Sequence, residues 1–377
     1  MKKQLRPVVR EQNVRRFSGN GAVEGMRGIM LPKDPSTHSL AHLRAGDVSI
    51  YSEVVMGRLK KNHIDRAMRV CQDATLIISD EGHHLIALFD GFGPFGSTIP
   101  KVMCESIHSL WQESGKGIES QEGALEFLLE ASRRAINPMV EKVLSGQRNA
   151  LREWEELLAE IRKDDPEATP PPKPMVPEPR EMEEFKGGTT AIMAAVRPDG
   201  RYFIASAGDS AGYDAAADGK VRRLLDYESM WHDDGLGNGR LELSALSLRS
   251  YASLRNVVDS SIGANDCDVP AMRKIETAEG MLGKGGMLIL VSDGITKNLW
   301  IVLDSEGWIH DVSGEPDIRK MLAAFQDAEG LGMELMGLVR ARMNLVKDGA
   351  YLNLPSRDSR ALIPADDDAS VLVLKKE

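Results

Sequence analysis

Two stretches constrain this chain most: "HLIALFDG", residues 84–91, and "GMLILVSDG", residues 286–294. In each, an apolar run long enough for a buried strand ends abruptly in an aspartate followed by glycine. Asp-Gly alone is a common tight-turn dipeptide, because glycine tolerates positive φ. The pattern recurs, however. Asp209 ends "RYFIASAGD", Asp367 lies in "ADDDASVLVL" just before the last apolar run, and Asp73 opens "CQDATLIIS". An apolar strand that ends in Asp fixes a carboxylate at a sheet rim with little freedom.

The rest of the chain alternates blocks of strand and helix. "DVSIYSEVVMG", "QDATLIISD" and "HLIALFD" carry β-branched and aromatic residues, with Glu81-Gly82 marking a hairpin. After Ser97 the apolar period turns helical in "VMCESIHSLWQE" and "ALEFLLEASRRAINPMVEKVL", and again in the charged "LREWEELLAEIRKDD". "PEATPPPKPMVPEPREMEE" then breaks regular structure. Strands resume at "TTAIMAAV", "RYFIASAGD" and "AGYDAAADGKVRRL". Residues 227–280 read as a flap with a helix at "SYASLRNVVDSSIG". Helices fill about 316–347, and "ASVLVLKK" closes as a strand. Blocks rather than strict βαβ alternation predict an α+β layered domain with antiparallel sheets.

A length of 377 residues allows a sizeable core, and a net charge of -10 argues against a nucleic-acid or anionic-membrane binder. The three cysteines, Cys71, Cys104 and Cys267, show no paired spacing, which fits a reducing compartment. No signal peptide or spanning segment is legible, so the expected location is cytoplasmic. The basic "MKKQLRPVVREQNVRR" reads as a solvated tail or as an arm that docks a partner.

Several carboxylates converging at sheet rims would repel one another, and burial would add to the cost. Hard divalent cations remove that cost, and an oxygen-only donor set without His or Cys suits Mg2+ or Mn2+. Two such ions about 3.5–4 Å apart can activate a water for in-line attack on a phosphoryl group.

In order along the chain, "CQDA", "LFDGFGPFG", "GGTTA", "ASAGDSAGY", "ILVSDGI" and "DDDASVLVL" resemble the motifs of the PPM family, the protein phosphatase 2C-like, metal-dependent serine/threonine phosphatases. The resemblance runs from about residue 47 to the end. It implies a central antiparallel β-sandwich flanked by helices (four layers, αββα) and hydrolysis of phosphoserine or phosphothreonine on proteins by a metal-activated water. It also implies that Asp90 bridges two ions, the Gly91 carbonyl is a further ligand, Asp293 holds one ion and Asp367 the other. Asp73 would act through water or from behind the ligands, and Asp209 would serve a third, weaker ion. Residues 1–46 then read as a flexible N-terminal extension and 47–377 as the phosphatase domain. Residues 145–186 read as a helical and Pro-rich insertion, and this insertion and the basic arm are the expected docking segments for partners.

The sequence departs from the family pattern at informative places. Phe92 stands where a His is often found, and Pro94 replaces the second glycine of the first signature. The usual phosphate-binding arginine falls at Met68, with Arg69 the nearest substitute and Arg66 the next. Ala211 replaces the usual arginine after Gly-Asp-Ser, so that hairpin must be held otherwise. The alternative function is a catalytically weak or inactive pseudophosphatase acting as a binding or regulatory module. His232-Asp233 and "GLGNG" lack the settings that a metal pair or a dinucleotide loop would need.

Overall fold

The computed structural model describes residues 27–30, 39–56, 71–93, 96, 98–114, 118–164, 169–173, 187–225, 261–263, 275–298, 301–303, 309–311, 318, 320–321, 325–347, 360–361 and 367–377. Two antiparallel sheets face each other. The first contains β1 (Arg27–Met30), β4 (Ala74–Asp80), β5 (His83–Phe92), β6 (Gly188–Val196), β7 (Arg201–Ala207) and β11 (Glu276–Met281) in the order β1-β4-β5-β6-β7-β11, with β10 (Ile262–Gly263) paired to β6. The second runs β2-β3-β16-β12-β8-β9, from β2 (Ser39–Ala45), β3 (Val48–Val55), β16 (Ala369–Lys376), β12 (Met287–Val291), β8 (Ala211–Ala215) and β9 (Val221–Arg223). A small third sheet joins β13 (Ile301–Leu303) to β14 (Ile309–Asp311) and β15 (Arg360–Ala361).

The unbroken apolar runs have a simple cause: both faces of each sheet are covered. Side chains alternate along a strand. Ile86 and Leu88 of β5 therefore meet Leu288 and Leu290 of β12 and Leu372 and Leu374 of β16 between the sheets. Leu85, Ala87 and Phe89 point the other way, onto α1 (Ile99–Ser114) and α2 (Gln121–Asp164), with Trp111 and Phe127 packed edge to face at 6.4 Å. Ile289, Val291, Val371 and Val373 face α4 (Ala328–Lys347) through Leu331, Leu335 and Val339. The layers are helix, sheet, sheet, helix, as expected. Truncating a core leucine such as Leu88 or Leu372, both fully buried, would cost about 2–5 kcal/mol.

Three details differ from the sequence reading. Residues 27–30 and 39–45, assigned to a flexible extension, are edge strands, because β4 and β3 offer them unpaired backbone. The two helical stretches around residue 145 are one 44-residue helix, α2, capped where Ser120 Oγ accepts the Gly123 N–H at 3.1 Å. Pro138 lies inside that helix without ending it. After α2 the described piece 169–173 folds back, and the Trp154 indole donates to the Pro171 carbonyl at 3.0 Å. No helix among the described residues is long and apolar enough to cross a membrane. Of the expected helix at "SYASLRNVVDSSIG", residues 250–260 lie outside the described residues, as does most of the flap, but its end is not helical: Ile262–Gly263 is β10, drawn into the sheet by pairing with β6.

Candidate metal centre

Asp90 sits two residues beyond Leu88 on β5, so alternation aims it between the sheets, at one end of the sandwich. The strand does not stop there: β5 runs on to Phe92, with Asp90 paired to Thr190 and its carbonyl accepting from Thr189 Oγ1 at 3.0 Å. Asp293 follows β12 as the first residue of the short helix α3 (Asp293–Thr296). Asp209 lies in the turn from β7 to β8, Asp73 directly before β4, and Asp367 shortly before β16. Five carboxylates from five chain segments thus meet at one end of the sandwich.

Both Asp-Gly glycines are explained by close backbone approach. A Cβ on Gly91 would lie 1.8 Å from the Gly96 carbonyl oxygen, and one on Gly294 would lie 1.8 Å from that of Asp368. The Gly91 N–H donates to the Gln72 carbonyl at 3.1 Å, and the Gln72 N–H donates to Asp368 Oδ2 at 2.7 Å. The same glycines that signal turns let neighbouring loops press together behind the carboxylates. The β7–β8 hairpin, which lacks an arginine at Ala211, is held by the Ser210 and Thr190 hydroxyls at 2.9 Å.

The cluster is strongly perturbed. Burial, then Asp293, Asp73 and Asp367, push the Asp90 carboxyl well above the usual carboxylate range. Burial and the neighbouring Asp293 push Asp209 up to about 8. The pit is open at its rim all the same: Asp90 keeps some contact with solvent and the Asp367 side chain is 33% exposed.

Sequence reasoning missed Lys297. Its ammonium pairs with Asp293 Oδ2 and lies 3.2 Å from Asp367 Oδ2, with its side chain only 3% exposed. Burial works against its charge, but Asp293, Asp367, Asp209 and Asp90 outweigh it and keep the lysine protonated. The signal was present: a lysine four residues after Asp293 lies on the same helical face once α3 forms.

The donor set fits a hard divalent cation. It consists of oxygens, and both side-chain oxygens of Asp209 and Oδ1 of Asp293 are buried without a hydrogen-bond partner among the described residues. Among the described residues, no three of His, Cys, Asp and Glu surround one point as ligands do. Of the residues singled out from sequence, Asp73, Asp90, Gly91, Asp209, Asp293 and Asp367 come together. Arg69, with Arg66 and Met68, lies outside the described residues, as does Pro94. Phe92 is on the surface beside the pit.

No family model matches the sequence, and no curated protein does. Solved structures do match. A serine/threonine phosphatase of Staphylococcus aureus aligns over 87% of this chain and 94% of its own at 15% identity, with a TM-score of 0.50. One from S. agalactiae covers 90% and 100% at 16% identity, TM-score 0.49. One from Mycobacterium tuberculosis covers 88% and 99% at 14% identity, TM-score 0.47. The chain has the fold of the PPM-type serine/threonine phosphatases.

Proposed function

We propose that this chain is a phosphoprotein phosphatase that hydrolyses phosphoserine or phosphothreonine at the acidic pit. The observation that carries the reading is the convergence of Asp73, Asp90, Asp209, Asp293 and Asp367 at one partly exposed end of the sandwich. Asp90, the Gly91 carbonyl, Asp293 and Asp367 would hold Mn2+ or Mg2+, with Asp73 and Asp209 in support. A divalent cation bound there supplies Lewis acidity and brings the pKa of water towards neutrality.

The chain's own residues do the positioning. Ser370 Oγ donates to Asp73 Oδ2, which fixes that carboxylate behind the pit. The β5–β6 pairing at Thr190 fixes the Asp90 backbone. Burial of Asp209 and Asp293 leaves oxygens whose lone pairs call for a cation. Arg69 is proposed to grip the phosphate, and the 145–186 segment and the basic N-terminal arm to select protein partners. The proposed location is cytoplasmic.

Lys297 favours a second reading, a weakly active or inactive regulatory module, because an ammonium already pairs with two of the ligand carboxylates. Hydrolysis of p-nitrophenyl phosphate and of a phosphothreonine peptide, with and without Mn2+, decides between them. Mn2+-dependent turnover that Asp90→Asn abolishes supports the enzyme. A folded protein with no turnover in either assay supports the regulatory module.

A further inference from the structure

The acidic pit contains a positive charge of its own. Lys297 is almost fully buried, and its ammonium pairs with Asp293 and Asp367, carboxylates on two different segments. Its backbone is pinned as well. The Lys297 N–H donates to the Asp293 carbonyl at 2.7 Å, and the next residue, Asn298, donates from Nδ2 to the Gly294 carbonyl at 2.7 Å. The Asn298 carbonyl in turn accepts from Arg342 on α4. A lysine anchored in this way cannot withdraw its ammonium without leaving a charge buried and unpaired, which is strongly unfavourable.

One ammonium does not balance five carboxylates. Asp209, only 1% exposed, faces the same charges with both oxygens unpartnered among the described residues, and Asp293 Oδ1 is in the same condition. The pit therefore has two regions. One, between Asp293 and Asp367, is already filled by a cation that belongs to the chain. The other, toward Asp90, Asp209 and Asp293 Oδ1, still calls for one.

We infer that Lys297 is a built-in cation that takes the place of a divalent ion between Asp293 and Asp367, so that the chain binds at most one such ion tightly and holds this end of the sandwich together without it. The inference rests on reading the pit as a cation site. It adds that the site is set apart by a residue of the chain itself, which weakens a second ion by direct repulsion and by occupying two carboxylates.

The test is Mn2+ binding by the full-length protein, read from the EPR signal of free Mn2+, with thermal unfolding in parallel. Wild type should bind one Mn2+ tightly, and Mn2+ should raise its melting temperature above that in EDTA by less than it does for Lys297→Gln. Lys297→Gln should bind Mn2+ more tightly by about tenfold or more, or gain a second tight ion, because a like charge has been removed from the pit. It should also melt lower in EDTA and recover in Mn2+. Lys297→Arg, which keeps the charge, should bind Mn2+ as wild type does. Equal Mn2+ binding by wild type and Lys297→Gln would overturn the role of Lys297 and leave the cation site standing. No binding by either would overturn both. Should Lys297→Gln not fold, wild type decides: two tight Mn2+ ions or none sink the inference, and one, with Lys297→Arg alike, upholds it.

Discussion

The Ser370 hydroxyl donates to Asp73 Oδ2 at 2.8 Å, which joins β16 of one sheet to the residue that leads into β4 of the other. The Ser370 N–H meanwhile donates to Ser292 Oγ at 2.9 Å, next to Asp293. Three carboxylate-bearing segments are thus referred to one serine. Ser370→Ala removes a buried bond to a carboxylate and should lower stability by about 1–3 kcal/mol, measured by urea unfolding. Ser370→Thr, which keeps the hydroxyl, should lose less, and equal losses in the two variants would show that the bond is not the cause.

Gly294 and Gly337 should respond to alanine with opposite signs. A Cβ at Gly294 would meet the backbone oxygen of Asp368 at 1.8 Å, and a backbone carbonyl cannot rotate away as a side chain can. Gly294→Ala should cost on the order of 3 kcal/mol and disturb the pit. Gly337 lies inside α4 with nothing within 4 Å of an added Cβ, so Gly337→Ala should raise stability by up to about 1 kcal/mol. Chemical unfolding of the two variants side by side checks both signs.

Asp90→Asn should separate activity from stability. Asparagine keeps the shape but removes one of several buried like charges, so the variant in EDTA should be more stable than wild type by about 1–2 kcal/mol. Mn2+-dependent hydrolysis should disappear, and in wild type EDTA should abolish turnover and Mn2+ restore it. Near wild-type turnover by the variant would remove Asp90 from the centre of the proposed site.

His84 gives the stability a defined pH dependence away from the pit. It is buried on β5, its Nδ1 shares a hydrogen bond with Ser79 Oγ at 2.9 Å, and burial lowers its pKa to about 4. The unfolded chain binds a proton near the ordinary imidazole value of about 6.5. Stability from the neutral ring is therefore complete above about 6.5 and is lost as pH falls towards 4, by about 2 kcal/mol at pH 5. Urea midpoints at pH 7 and pH 5 measure the loss, and in His84→Gln that part of the difference should vanish.

The Pro-rich segment should be dispensable for the fold. Replacing residues 174–183 by a short Gly-Ser linker, with the Trp154–Pro171 contact kept, should leave the melting temperature and aryl-phosphate turnover close to wild type while changing rates on protein substrates. Loss of folding would make the segment structural.

The layered fold was legible because covered sheets leave unbroken apolar runs such as "HLIALF", and because every rim Asp ends or precedes one. Two things were not legible. Arg27–Met30 and Ser39–Ala45 have weak strand patterns of their own; the first becomes a strand by pairing with β4, distant in sequence, and the second by folding back as a hairpin on the neighbouring β3. Lys297 belongs to the site only because α3 turns it back over Asp293 while β16 brings Asp367 alongside. A one-turn helix carries too little periodicity to be read from sequence. The glycine at 91 was legible as a turn residue, but what requires it is the close approach of the Gly96 carbonyl, a pairing that only the folded loop reveals.

Helix α2 packs its first half on the sheet through Ala124, Phe127, Leu128, Ala131, Ala135 and Ile136. From Glu141 to Asp164 none of its described side chains is buried. At a rise of about 1.5 Å per residue, that stretch is a rod of about 36 Å. A body bearing such a rod has a long axis and does not tumble equally in all directions. Rotation about the axis meets less viscous drag than rotation across it. Amide vectors along α2 should therefore relax at rates distinct from those in the sheets, whose N–H bonds point in other directions.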